Sequence, residues 1–209
     1  MRTTVYIDAF NLYYGALKGT PYKWLNIVDL ARQLLQPQNQ IVRVKYFTAL
    51  VNPRPSDPGI LQRQQLYLRA LATLPEVEIV LGHYLSHVVS MPAANGDPMN
   101  PSFVKVIKTE EKGSDVNIAT HMIVDAADNQ CDCLVLISGD SDLKMPVSLA
   151  RSRFGKQVGV LNPQRNICKA LQASAGFYKH IRGTNILATS QLYPVLTDTK
   201  GTFHKPPTW

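Results

Sequence analysis

Four apolar residues in a row, Leu134-Val135-Leu136-Ile137, run directly into Ser138-Gly139-Asp140-Ser141-Asp142. It is the most strand-like stretch of the chain, and its end in a glycine and two acids reads as a buried strand turning into a helix. The rest of the chain repeats the pattern. Residues 5–8, 41–47, 77–81, 134–138 and 158–161 read as strands, and residues 27–35, 61–74, 115–129, 143–153 and 166–175 carry helical spacing. In the helix at 115–129, Val116, Ala119, Ile123 and Ala126 or Ala127 are expected to face inward. Strands alternating with helices predict a three-layer α/β sandwich around a doubly wound, mainly parallel sheet.

Two regions interrupt the alternation. Prolines make a loop of residues 51–59. Between 83 and 111 two β-like stretches flank a turn-rich tip at 91–98, which predicts a hairpin or flap inserted before the Asp115 helix. The main body is expected to span residues 1–182. The tail at 183–209 has few periodic signals and either docks through Tyr193, Phe203 and Trp209 or stands free.

Composition limits the class. At 209 residues, with 45% hydrophobic and 18% charged, the chain can bury an ordinary core and is not a disordered polymer. No apolar run approaches the ~20 residues of a membrane span, and Met1-Arg2-Thr3-Thr4 passes straight into a strand without a signal-peptide core, so a cytoplasmic location is expected. Cys131, Cys133 and Cys168 are neither a disulfide framework nor a zinc ribbon; reduced thiols are expected, with Cys133 buried in a strand. His83 and His87 fall on a strand, where a spacing of four separates them, and read as ordinary edge histidines. The net charge of +7 suits a polyanionic partner.

Against that basic background stand Asp8, Asp115, Asp140 and Asp142. Asp8 ends the run Thr4-Val5-Tyr6-Ile7 and is followed by Ala9-Phe10-Asn11; Asp115 opens a helix in Lys112-Gly113-Ser114-Asp115. If the strands carrying Asp8 and Asp140 are neighbours, these acids meet at the carboxyl edge of the sheet. Carboxylates so placed repel one another, and a divalent cation is the usual remedy. Taken singly, each has a plainer role: Asp8 as a loop residue just clear of the core, the others as helix caps, with Ser114 the candidate N-cap of the 115–129 helix. Asn11 holds a ligand or caps its turn, and Lys112 approaches a phosphate or stays in solvent.

In this order, D-x-x-N at Asp8 and Asn11, K-G-x-D-V at 112–116 and S-G-D-S-D-L at 138–143 resemble the NYN domain family, a branch of the PIN-like nucleases, over nearly the whole chain. The resemblance implies a PIN-like sheet with the Asp8 and Asp140 strands adjacent. It also implies Mg²⁺ or Mn²⁺ at Asp8, Asp115, Asp140 and Asp142, and hydrolysis of RNA phosphodiesters. Asn11, Lys112 and Ser138 would then contact substrate or assist, and arginines and lysines of the flap and of the 61–74 helix would grip the backbone. The pattern departs at His121, near which many relatives carry another acid. Among other acid-bearing folds, a haloacid-dehalogenase-like phosphatase needs an acid where Phe10 stands, and a Toprim domain expects a glutamate on its first strand. The alternative from another class is a non-catalytic RNA-binding or regulatory module that keeps the fold. Self-association is compatible with every one of these readings.

Overall fold

A computed structural model of the chain describes residues 1–53, 55–94, 99 and 101–209; Arg54 of the proline loop, and residues 95–98 and 100 at the flap tip, lie outside the described residues. The chain runs β1 (Arg2–Asp8), α1 (Ala9–Leu12), a π-helical turn (Tyr13–Leu17), α2 (Ile27–Leu34), β2 (Gln40–Thr48), α3 (Ile60–Leu71) and β3 (Val77–Leu81). It continues through β4 (His83–Pro92), β5 (Phe103–Lys112), α4 (Ser114–Ala127), β6 (Cys133–Ile137), a 3₁₀ turn (Ser141–Leu143), α5 (Lys144–Ser152) and β7 (Gln157–Asn162). Last come α6 (Lys169–Ser174), β8 (Phe177–His180), α7 (Thr184–Thr189), β9 (Val195–Asp198) and β10 (Gly201–His204).

Six strands form one sheet in the order β3-β2-β1-β6-β7-β8, and every pairing is parallel. Side chains alternate strictly between its faces. Val5, Ile7, Val135 and Ile137 enter a core with Trp24, Leu30 and Leu71, whereas Tyr6, Leu134 and Leu136 enter a second core with Ile118, Met122 and Val147. Burying each such aliphatic side chain contributes about 1.5–3 kcal/mol, so a strand apolar on both faces is held in register from two sides. That is the expected sandwich. β8 is an addition the short Phe177-Tyr178-Lys179-His180 did not announce: it is seated because Gly159 of β7 leaves room for the Phe177 ring, whose Cζ lies 2.0 Å from where a Cβ would stand.

The inward face of α4 matches the expectation at Ala126 and differs from it elsewhere. Ile118, Met122, Asp125 and Ala126 are buried, while Val116 is 68% exposed. The phase is set by a polar group: Asp125 is drawn inward by the Lys45 ammonium at 2.7 Å and the Tyr6 hydroxyl at 2.7 Å, both buried. His121 Nδ1 sits 3.0 Å from the same Lys45 Nζ, so it belongs to this polar cluster.

β4 and β5 pair antiparallel from His83↔Lys112 to Pro92↔Phe103 as an exposed hairpin, with His83 and His87 on its surface. The tail docks. Phe203 is buried with the Arg69 guanidinium 4.1 Å from its ring centre, Asp198 receives two hydrogen bonds from Arg69, and Trp209 packs on Trp24 and Tyr67. Tyr193 instead projects outward, 80% exposed, and its carbonyl accepts a hydrogen bond from Trp24 Nε1 at 2.9 Å. Cys131 and Cys133 are buried and all three thiols are free. Among the described residues no helix is long and apolar enough to cross a membrane.

Candidate active site

The strand order reverses between β1 and β6, and the crevice at the carboxyl end of such a reversal is where open α/β sheets place ligands. Asp8 is the last residue of β1 and caps α1, its Oδ1 accepting the Asn11 N–H at 2.9 Å. The strand partner of Ile7 is Ile137, so residues 138–140 leave β6 beside Asp8. There Ser138, fully buried, donates its hydroxyl to Asp8 Oδ2 at 3.1 Å and accepts the Asp140 N–H at 3.1 Å. Asp140 in turn accepts the Asp142 N–H at 3.0 Å and caps the 3₁₀ turn. One hydroxyl thus ties the two acid-bearing loops together.

Asn11 locks the same junction from the other side. Its Oδ1 accepts the Gly139 N–H and Gln164 Nε2, each at 2.9 Å. Gly139 is required by close approach: a Cβ there would lie 2.6 Å from Asn162 Oδ1 and 2.8 Å from Gln164 Cγ. Asn162, fully buried, accepts the Gln164 N–H at 2.8 Å and donates to the Tyr178 hydroxyl at 2.6 Å. Asn162 and Gln164 were missed by sequence reasoning. The only signal was their position at the end of a strand neighbouring β6.

Asp115 arrives on the first turn of α4. Ser114 is not the side-chain cap expected. Gly113, at φ +100°, holds the cap position, and Glu111 Oε1 of β5 accepts the Ser114 N–H at 3.2 Å and its hydroxyl at 2.9 Å. A side chain from the hairpin therefore fixes the start of α4, and Glu111 joins the acidic group. Lys112 points elsewhere: its Nζ pairs with Glu110 at 3.3 Å on the half-exposed hairpin edge. The α3 arginines are also engaged in ion pairs within the chain, Arg63 with Asp57 and Arg69 with Asp198.

The four aspartates interact through space. Burial, and then the charges of Asp115 and Asp140, push Asp8 up to about 6 against the pull of its hydrogen bonds from Asn11 and Ser138. Asp115 is raised by burial and by Asp140, Glu111 and Asp142. Among the described residues none of the four has a cationic partner. Nor do any three acidic, histidine or cysteine side chains there already stand in coordinating geometry. The donors are all hard carboxylate oxygens with uncompensated charge, a set that fits Mg²⁺ or Mn²⁺ and not a soft metal.

Known proteins place the family and the fold. The family model of the NYN domain matches residues 2–181. The 6-hydroxy-3-succinoylpyridine 3-monooxygenase HspA of Pseudomonas putida is 29% identical across 100% of this chain and 75% of its own length. A crystal structure of a protein of unknown function from Vibrio parahaemolyticus is similar at a TM-score of 0.52 and 20% identity, over 87% of this chain and 93% of that one, which speaks for the fold alone.

Proposed function

The chain belongs to the NYN domain family, whose members are nuclease-like, and from that premise we propose that it hydrolyses RNA phosphodiester bonds with a divalent cation at Asp8, Asp115, Asp140 and Asp142. The observation that carries the reading is the convergence of four acids, unpaired among the described residues, at the sheet's reversal point in a chain of net charge +7. When bound, the ion supplies an acidified water and neutralises charge on the phosphoryl oxygens.

The chain's own residues do the positioning. Ser138 and Asn11 hold Asp8 and the 139–140 turn rigid, and Glu111 fixes the end of α4 that presents Asp115. Asp142, exposed at the rim, faces the approach of substrate. The basic surface recruits RNA, single-stranded or structured, through its phosphates, so binding weakens steeply with salt. Reduced thiols at all three cysteines suit a cytoplasmic setting.

Asp140→Asn removes one charged ligand with little change of shape and is expected to abolish cleavage of RNA in Mg²⁺ or Mn²⁺ while leaving the melting temperature intact. Undiminished cleavage by the variant, or by the wild type in excess chelator, refutes the reading. RNA binding with no cleavage under either metal would instead support the non-catalytic module.

A second reading has a specific observation behind it. The Pseudomonas relative is named for oxygenating a pyridine, and a cavity lined by aromatic rings adjoins Asp8 in this chain. Conversion of 6-hydroxy-3-succinoylpyridine with oxygen uptake, supplied with a two-electron donor, would establish it.

A further inference from the structure

We propose that this ring-lined cavity is a binding site for a planar heteroaromatic ring bearing an anionic group on a short arm. The cavity measures about 430 Å³, within the ~300–1,000 Å³ range of small-molecule sites. Its walls come from five segments of the chain: Phe10 on α1, Tyr46 on β2, Tyr67 on α3, Tyr84 on β4 and Trp209 in the tail, with Tyr13 of the π-helical turn completing the ring. Phe10 and Tyr84 stand edge to face at 5.8 Å, Tyr46 and Tyr67 at 6.2 Å, and Tyr67 and Trp209 at 5.5 Å. A cavity walled in this way favours a flat ring, because aromatic pairs gain from offset and edge contacts beyond simple burial.

Two polar features define the rest of the ligand. Tyr46 is only 7% exposed and lines the cavity, and among the described residues its hydroxyl has no hydrogen-bond partner. Its neighbour Tyr67, equally buried, spends its hydroxyl on the Leu25 carbonyl at 2.8 Å. The Tyr46 hydroxyl is not a sealed-in orphan but a polar group of the cavity wall, where it can bond the ring's heteroatom or substituent. At the mouth stand Lys18 and Lys23, neither with a carboxylate partner among the described residues, while Arg63 is neutralised by Asp57. The lining is therefore net positive and suits an anionic arm.

The position matters as much as the chemistry. Phe10 lies two residues after Asp8, and Phe47, next to Tyr46, is the register partner of Asp8. A ring seated here lies beside the strand end that carries Asp8, while its arm stays with the lysines. Two sources share this chemistry, a nucleotide of an RNA chain and a free aromatic acid; the first rests on the nuclease reading, the second does not.

The test is a tryptophan-fluorescence titration of the full chain in chelator, using Trp209 in the cavity wall as reporter. Probes are AMP, UMP and pyridine-3-carboxylate, with ribose 5-phosphate and inorganic phosphate as ringless controls. Ringed anions are expected to bind about tenfold or more tightly than ringless ones. Tyr46→Phe, which keeps the ring and the fold, is expected to weaken them about fivefold, and Lys23→Gln to weaken them with a lower salt dependence. Tightest binding of the nucleotides assigns the RNA source, and tightest binding of the pyridine acid the free one. Equal affinity for ringed and ringless probes, no binding of any, or unchanged affinity in both variants overturns the site. If RNA is cleaved but no ring binds, this inference fails alone; if rings bind and no RNA is cut in Mg²⁺ or Mn²⁺, the site stands and the nuclease reading fails.

Discussion

Replacing Asp8 by Asn is expected to stabilise the metal-free protein at neutral pH while ending the proposed RNA cleavage. Asp8 is 6% exposed, and burial with its acidic neighbours raises it to about 6 from 3.8. The sign follows from linkage: a folded-state value above the unfolded one means the folded chain holds the proton longer, so stability is lost as pH climbs from about 4 through 6. At pH 7 the shift of about two units corresponds to ~3 kcal/mol of penalty. Asparagine removes the charge but weakens two bonds. Its Oδ1 still accepts the Asn11 N–H, whereas Ser138 must turn its hydroxyl to accept from the new Nδ2, at a cost of about 1 kcal/mol. A net gain of ~1–2 kcal/mol remains, or a rise of roughly 3–6 °C in melting temperature for a chain of this size. Thermal melts in chelator from pH 4 to 8 check it: the gain should vanish near pH 4, and Mn²⁺ should raise the melting point of the wild type far more than that of the variant. A variant less stable than wild type at pH 7 in chelator refutes the argument, because it would mean that Asp8 is not strained by its surroundings.

Three further outcomes follow from other parts of the fold. Asp125→Ala leaves the Lys45 ammonium buried without its partner and should cost about 3–5 kcal/mol in chemical denaturation; a cost under 1 kcal/mol would contradict the buried pair. Gly139→Ala forces a Cβ against Asn162 and Gln164, so RNA cleavage should fall at least tenfold while the fold survives, as read by kinetics beside a melting curve. Asp198 is held at about 2 by hydrogen bonds and charge from Arg69, so the tail contact is secure above pH ~4 and lost as pH falls towards 2; Trp209 fluorescence should report release in that window, and Arg69→Gln should move it to higher pH.

The sequence by itself determined the sheet and the acids at its edge. The run at 134–137 and the alternation of strands and helices admit few arrangements other than a parallel sheet covered on both sides. Within it, Asp8 and Asp140 fall at strand ends whatever the details. The motifs at 8–11, 112–116 and 138–143 were legible because each couples an acid to a local turn or helix start, and such couplings are short-range. What only the tertiary structure decided depends on contacts between distant residues. Asn162 and Gln164 enter the site because β7 lies beside β6, and no local spacing announces that. The phase of α4 was misread because its strongest inward pull is an ion pair between Asp125 and a lysine some eighty positions earlier, not an apolar stripe. The cavity beside Asp8 escaped altogether: its aromatic walls come from five segments from Phe10 to Trp209, and only folding makes them neighbours.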